Sequence, residues 1–585
     1  MTPMAARPVR IANCSGFFGD RRAAAREMVA GGPIDVLTGD WLAELTMLIL
    51  ARQRARRPEA GFARTFVDQM RDVLGDCLSK GIRVVANAGG VNPEGCADAV
   101  RAVAAELGLE ARVAVVLGDD LLPRLVDLQR TGERFAHLET GQALADAGVT
   151  PVSANAYLGG WGIAAALDAG ADVVVTGRVT DAALAVGPAA WWHGWRRDDW
   201  DALAGAVVAG HVIECGAQTT GGNFSFFQEV PGLEHAGFPV AEVAADGSSV
   251  ITKHEGTGGA VTVETVTAQL LYEVAGAQYP NPDVVARFDT IVLAPDGPDR
   301  VRISGVRGEP APPTTKVCVN YLGGFRNTVT LALVGLDIEA KAALAERTLW
   351  GAIAGGRESF EDAAAELVTG DGDGFGLLHV TVVDQDRDKV GRAFSNVATE
   401  MGLATYPGYF GLGPPGDARE FGVYWPALVD SGVIDQRVLV DGRAIAVPPS
   451  ATAAVVPPDA SAAAAEPASW GPTVVAPLGR LVGARSGDKG GDANVGVWAR
   501  SPETYRWLAG YLSAERLQAL VPETRPHRVE RHDLPNIIAL NFVVKGLLGR
   551  GVAASTRFDA QAKSLGERLR AAAADVPEKL LADGS

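Results

Sequence analysis

The sequence predicts an α/β fold: a parallel-sheet N-terminal domain carrying an α+β subdomain, followed by a small C-terminal α+β domain of ferredoxin-like type. Three observations carry this. Through residue 210, continuous Val/Ile/Leu/Ala runs alternate with amphipathic ones, the pattern of parallel strands covered on both faces by helices. From His211 onward Gly and Pro punctuate the apolar runs, as in Tyr279-Pro-Asn-Pro282 and Pro310-Ala-Pro-Pro313, which favours more antiparallel pairing. Val447 to Pro472 is rich in Ala, Pro and Ser with almost no charge, a linker extended by its prolines. The expected units are therefore 1–446 (1–210 parallel, 211–446 α+β), the linker 447–472, and a module at 473–585.

In the first unit the strands are Val9–Ala12, Ile34–Leu37, Arg83–Ala86, Val113–Leu117 and Val173–Val175. Between them the 3.6-residue period predicts helices at Arg21–Val29, Trp41–Gln53, Phe62–Lys80, Glu94–Leu107, Gly141–Ala147 and Gly162–Ala169. The pattern admits either a barrel or an open sheet. Further strands are predicted at Val240–Ala244, Val250–Thr252, Ala260–Val266, Thr290–Leu293, Val301–Ile303, Val317–Val319 and Thr328–Val334, then a helix at Ile338–Ala354 and a strand at Leu377–Val383. In the module, strands Leu478–Val482 and Val495–Ala499 flank a charged loop. Helices Pro502–Leu512 and Ser513–Ala519, a strand Ile537–Val544 and a helix Asp559–Ala574 follow.

Composition narrows the function classes. The 585 residues allow two to four domains, and 47% apolar with 21% charged residues is the balance of a soluble globular protein. A net charge of -17 argues against nucleic acid or an anionic membrane as the main partner, while leaving room for a local basic patch. The five cysteines are scattered without a Cys-x-x-Cys pair, so neither a disulfide framework nor a zinc knuckle fits. Met1 to Val9 lacks a signal-peptide core, and no run of about twenty apolar residues occurs, so a cytoplasmic protein is expected.

Ligands of parallel α/β sheets bind beyond the carboxyl ends of the strands. There the sequence places Asn13 and Ser15, then Asp40, then Asn87, Gly89, Gly90 and Asn92, then Gly118-Asp119-Asp120, then Thr176, Gly177, Arg178 and Asp181. Singly, Asp40, Asn92 and Thr180 read as helix caps; together the loops describe one polar pocket. The Asn87–Asn92 run offers backbone N–H groups for a phosphate or carboxylate, although it is neither Gly-x-Gly-x-x-Gly nor a Walker loop. Arg178 is a fixed cation suited to an anion, or else a local partner of Asp181.

A second cluster, His211 to Ser225, reads as a polar glycine-rich loop. His211 and Glu214 have types suited to proton transfer, Cys215 is a possible nucleophile, and Gln218 and Asn223 are binding candidates. In Lys253 to Gly259, His254 and Glu255 point to opposite faces of a strand, and His254 is taken as the binding residue. No metal site is expected, because no His-x-x-x-His or His-Glu-x-x-His spacing occurs. In the module, Gly483 to Gly496 holds Arg485, Asp488, Lys489 and Asn494 among glycines. It is either a self-paired surface loop or one that completes a site on the neighbouring domain.

Val9–Asp20, Leu37–Leu42, Asn87–Pro93, Val175–Asp181 and His211–Gly216, in that order, resemble the acyclic terpene utilisation family named after AtuA, and Arg485–Asn494 resembles the ferredoxin-fold domain often fused to it. The resemblance implies catabolism of branched acids as coenzyme A thioesters, near hydration or carbon–carbon cleavage. It carries over no catalytic residues. The expected function is a lyase or hydratase using Arg178, Asp181, His211 and Glu214, with coenzyme A entering as part of the substrate and no other cofactor. A homo-oligomer without membrane or nucleic-acid partners is expected. The alternatives are a non-catalytic scaffold of an acyl-CoA pathway, or a hydrolase or transferase working through Cys215.

Overall fold

In the computed structural model, which describes residues 7–370, 374–414, 416–455 and 470–583, the centre is an open eleven-stranded sheet. Its parallel heart is built from β1 (Val9–Asn13), β2 (Val36–Gly39), β3 (Arg83–Ala86), β4 (Val113–Leu117) and a later strand, with β5 (Pro151–Ala156) standing outside the sheet and β6 (Val173–Thr176) inside it. The order is β1-β2-β3-β6-β4. Antiparallel strands extend both edges: β7 (Pro239–Val243) pairs with β1, β8 (Ser249–Lys253) with β7, and Arg437–Val440 with β4. The sheet thus runs through position 210 without a break.

Alternation along each strand explains the layers. Ala12, Leu37, Val84, Ala86, Val113 and Val175 face helices α1 (Ala24–Gly31), α3 (Arg64–Lys80) and α4 (Pro93–Glu106). On the other face Val9, Ile11, Val36, Val85, Val116 and Val174 meet α6 (Trp161–Asp168), α7 (Ala183–His193) and α8 (Trp200–Ile213). Two other helices, α2 (Glu44–Arg56) and α5 (Leu125–Arg130), flank the strand ends. Because both faces are covered, the strands carry no polar alternation.

Four sequence expectations need correction. His211 to Ile213 form the last turn of α8, which is buried from Ala202 to Ile213, where the expected loop would begin. Ala260–Val266 is not a strand: Thr262 and Thr265 form a reciprocal capping box that starts α9 (Val263–Leu270). Gly141–Ala147 keeps only a single turn at Leu144–Asp146. The stretches 317–319 and 328–334 belong to one 21-residue strand, Thr314–Val334, which pairs with β5, Phe375–Asp384 and Arg419–Asp430.

The C-terminal module holds a four-stranded antiparallel sheet in the order Val482–Lys489, Asp492–Ala499, Ala539–Val544, Val529–Leu534. The expected charged loop is in fact a hairpin. Its strands run to Lys489 and from Asp492, paired Lys489 to Asp492 across Gly490-Gly491. Of the expected linker, Val447 is buried in the body and the Ala453 amide donates to the Ala311 carbonyl at 2.9 Å, while 456–469 fall outside the described residues.

Two glycines explain how closely the module lies on the body. A Cβ on Gly487 would stand 2.5 Å from Tyr272 Cε2, and one on Gly496 would stand 2.4 Å from Leu271 Cβ. The strand therefore presents a bare backbone where the end of α9 arrives. Gly496→Val is expected to cost about 1–3 kcal/mol through overpacking, read as a lower urea midpoint.

Candidate functional site

The polar side chains at the carboxyl ends of the parallel strands are held first by one another. Asn13 Oδ1 accepts from the Ser15 amide at 2.9 Å, and its Nδ2 donates to the Glu214 carbonyl at 3.3 Å. Asp40 accepts from the Leu42 amide at 3.0 Å and from Asn87 Nδ2, while Asn87 Oδ1 accepts from the Trp41 amide at 2.8 Å. Burial and the nearby Asp181 push the Asp40 carboxyl well up, against the pull of Arg178.

Arg178 is the buried cation of this edge, 3% exposed. Its amide donates to Asp119 at 2.9 Å, and Gly177 leaves room for that carboxylate, because a Cβ there would fall 2.5 Å from Asp119 Oδ2. The guanidinium donates to Asp181 at 2.7 Å and to the Leu42 carbonyl at 3.3 Å, and lies 4.2 Å over the Tyr157 ring. Tyr157 in turn donates to Glu44 at 2.7 Å, and Lys316 stands 3.5 Å from the same carboxylate. Burial pushes Glu44 up, but Lys316, Arg178 and the Tyr157 hydroxyl together hold it down at about 2.

Next to this cation come the residues at the end of α8. His211 Nε2 lies 3.1 Å from the Gln269 carbonyl oxygen. A carbonyl can only accept, so Nε2 carries the proton and Nδ1 keeps its lone pair. Nδ1 has no hydrogen-bond partner, yet Glu214 Oε1 is 3.2 Å away. Burial lowers the imidazole to about 4, so it is neutral at physiological pH. Burial together with Asp181 and Glu273 pushes Glu214 well up, so the acid keeps its proton beside that lone pair. Burial together with Glu214 and Glu273 pushes the Cys215 thiol well up too, which suppresses thiolate.

The C-terminal hairpin completes the site. Glu273 adopts a left-handed backbone, φ 60°. Its amide donates to Asn494 Oδ1 at 2.9 Å, and its carbonyl accepts from Lys489 Nζ at 2.9 Å. Burial and Asp488 raise the Glu273 carboxyl to about 7, opposed by Lys563. Burial and Lys316 lower Lys489 to about 8, opposed by Glu273. Arg485 lies 5.0 Å over Tyr272 and donates to the Gly222 and Asn223 carbonyls at 3.3 and 2.8 Å. Among the described residues, five buried atoms around this cluster have no hydrogen-bond partner: Arg178 Nε, His211 Nδ1, Glu214 Oε2, Gln269 Oε1 and Arg485 Nη2. Such orphans are rare unless a ligand or water serves them.

Several expected residues act elsewhere. In the Asn87–Asn92 run four amides are already spent: Gly89 on Thr176, Gly90 on Asn87, Val91 on Gly61 and Asn92 on Gly89. The run is therefore no anion cradle, and Asn92 caps α4 by accepting from the Gly95 amide at 3.1 Å. His254 Nε2 meets the Met28 carbonyl at 2.9 Å and packs on Gly31 and Gly32, apart from the cluster. Asn223 is exposed and bonds Gln218 at 3.3 Å, so its contribution is the carbonyl that orients Arg485. Ser15 turns its hydroxyl to the Phe17 carbonyl and Thr176 to that of Gly177. The sequence reading missed Glu44, Tyr157, Gln269, Glu273 and Lys316. A glutamate inside the apolar run Leu270-Leu-Tyr-Glu-Val274 was the available signal for Glu273. Among the described residues, no group of three His, Cys, Asp or Glu is arranged to hold a metal ion, and no helix is long and apolar enough to cross a membrane.

A folded value near 7 for Glu273 lies above its unfolded value of about 4.3, so the native state holds this proton more tightly. Its contribution to stability is present below about pH 4 and is lost as pH rises through 7. Glu273→Gln should flatten that fall and leave the variant about 1–3 kcal/mol better off at pH 8 relative to pH 4, measured by urea titration at both.

The profile of the acyclic terpene utilisation family protein AtuA matches residues 9–440, and that of the AtuA ferredoxin-like domain matches 476–574. The chain belongs to this family. Comparison with curated proteins finds no match.

Proposed function

We propose, from the premise that the chain is a member of the AtuA family, that it is a catabolic enzyme acting on a branched, acyclic-terpenoid-like acyl-CoA as a lyase or hydratase by acid/base chemistry. What supports the reading is the set of five unpartnered buried atoms, contributed by both domains and lying among groups poised to exchange protons.

Hydration, dehydration or cleavage next to a thioester carbonyl needs three things: a base for the α or hydroxyl proton, an acid, and a cation or donor for the oxyanion that develops. Glu273, near 7, has the affinity of a base at neutral pH. The protonated Glu214 is the acid, with its Oε2 unpartnered beside the neutral His211. Arg178, with Nε free, and Lys489 supply the positive charge. The coenzyme would remain outside this enclosed cluster. The adjoining groove along α2, about 660 Å³ and lined by Leu48, Arg52, Arg326 and Phe421, has room for part of it. Covalent chemistry at Cys215 is disfavoured by its raised thiol.

Binding of branched and hydroxylated acyl-CoAs by calorimetry tests the reading: micromolar binding is expected in the wild type and its loss in Arg178→Gln. Absence of binding to every thioester would overturn it and favour a scaffold. On a turned-over substrate, kcat/KM should rise with pH through about 7 as Glu273 ionises and fall above about 8 as Lys489 loses its proton. Glu273→Gln should remove the lower limb and reduce kcat by about 10²–10⁴. Cys215→Ser should leave turnover unchanged.

A further inference from the structure

A second, smaller pocket lies between the Tyr157–Trp161 turn, Asp283 and the segment Val447–Ser450. Three side-chain donors line it with buried nitrogens and no partner: Trp161 Nε1, an Arg197 terminal nitrogen (Nη1) and Gln436 Nε2. All three are donors, and a group of donors without an acceptor is left unsatisfied unless something electron-rich enters.

The surroundings point the same way. Arg197 stacks 4.5 Å over the Trp161 ring, and the Asp283 carboxylate, which also lines the pocket, attracts it without closing an ion pair among the described residues. The carboxyl nearest to it, Asp283, is already committed to the Gly160 amide at 2.6 Å. Helix α6, eight residues long, starts at Trp161 on the wall of this pocket, so its positive end adds to the field. Gly162 lets the Gln436 amide in, since a Cβ there would stand 2.6 Å from Gln436 Nε2. The pocket holds about 50 Å³. A single water needs about 10–15 Å³ by such a measure, so one small polar group or a few waters fit.

We propose that this pocket is a binding site for a small oxyanion, a carboxylate, bicarbonate or phosphate group, held by Trp161, Arg197 and Gln436 on a side of the Tyr157 turn separate from the cluster around Arg178. Arg197 supplies the charge, and the Trp161 and Gln436 N–H groups supply direction.

The test is calorimetric titration of the full chain with acetate, bicarbonate and inorganic phosphate, each against chloride at constant ionic strength. The expected result is one saturable site for at least one of them, and the anion that binds most tightly identifies the source. Arg197→Gln should weaken it tenfold or more. Trp161→Phe, which keeps the ring and removes only the N–H, should weaken it several-fold. No saturable response to any of the three overturns the proposal. So does a response left unchanged in both variants, because the anion then binds elsewhere. If circular dichroism shows that Arg197→Gln does not fold, Trp161→Phe and Gln436→Met decide by the same criterion.

Discussion

Glu273 holds its backbone at φ 60°, a conformation that costs a non-glycine residue on the order of 1 kcal/mol or more, and two side chains from the other domain keep it there. Asn494 accepts its amide and Lys489 donates to its carbonyl. This clamp fixes where the carboxyl stands. It also draws the C-terminal hairpin against the end of α9, and so removes water from the ends of the parallel strands. The raised carboxyls, the lowered imidazole and the lowered lysine all follow from that dehydration, since burial is the largest cause in each case.

The exclusion of water also sets the charge state. Asp181 raises both Asp40 and Glu214 while Arg178 pulls them back, and Asp488 raises Glu273, so these acids compete for little positive charge. Some of these acids therefore keep protons at neutral pH. A neutral His211 with a free Nδ1 lone pair then has a proton source within 3.2 Å, without recourse to solvent.

Much of this was legible in the sequence where local rules govern. The strands Arg83–Ala86 and Val113–Leu117 have their predicted bounds, since continuous apolar runs leave little choice in a sheet covered on both faces. Arg178, Asp181 and Asp40 were legible because polar residues directly after such strands gather at one edge. Glu273 was not, for its role depends on Asn494, 221 residues away, and no local pattern encodes that contact. The stretch between Val482 and Val495 was read as a loop because glycine and charge are turn signals, whereas the strands run on to Lys489 and from Asp492. Here the glycines serve close docking, and the charges face a protein surface rather than water. His211 was misplaced for a related reason: Ala and Gly in α8 suit a helix enclosed on all sides, where bulky residues would not fit.

Docking of the module has a kinetic side as well. On the proposed acid/base reading, a ligand can reach atoms as enclosed as Arg178 Nε only if the cover parts. Body and module are one polypeptide, so parting and return are unimolecular, and the local concentration of the module stays high whatever the protein concentration. A contact far weaker than two separate proteins would need can then keep the site closed most of the time and still release it quickly. The footprint is broad, because Trp498, Leu534, Ile537 and Ala539 of the module lie within the core of the body, and a dock of that extent favours the closed state.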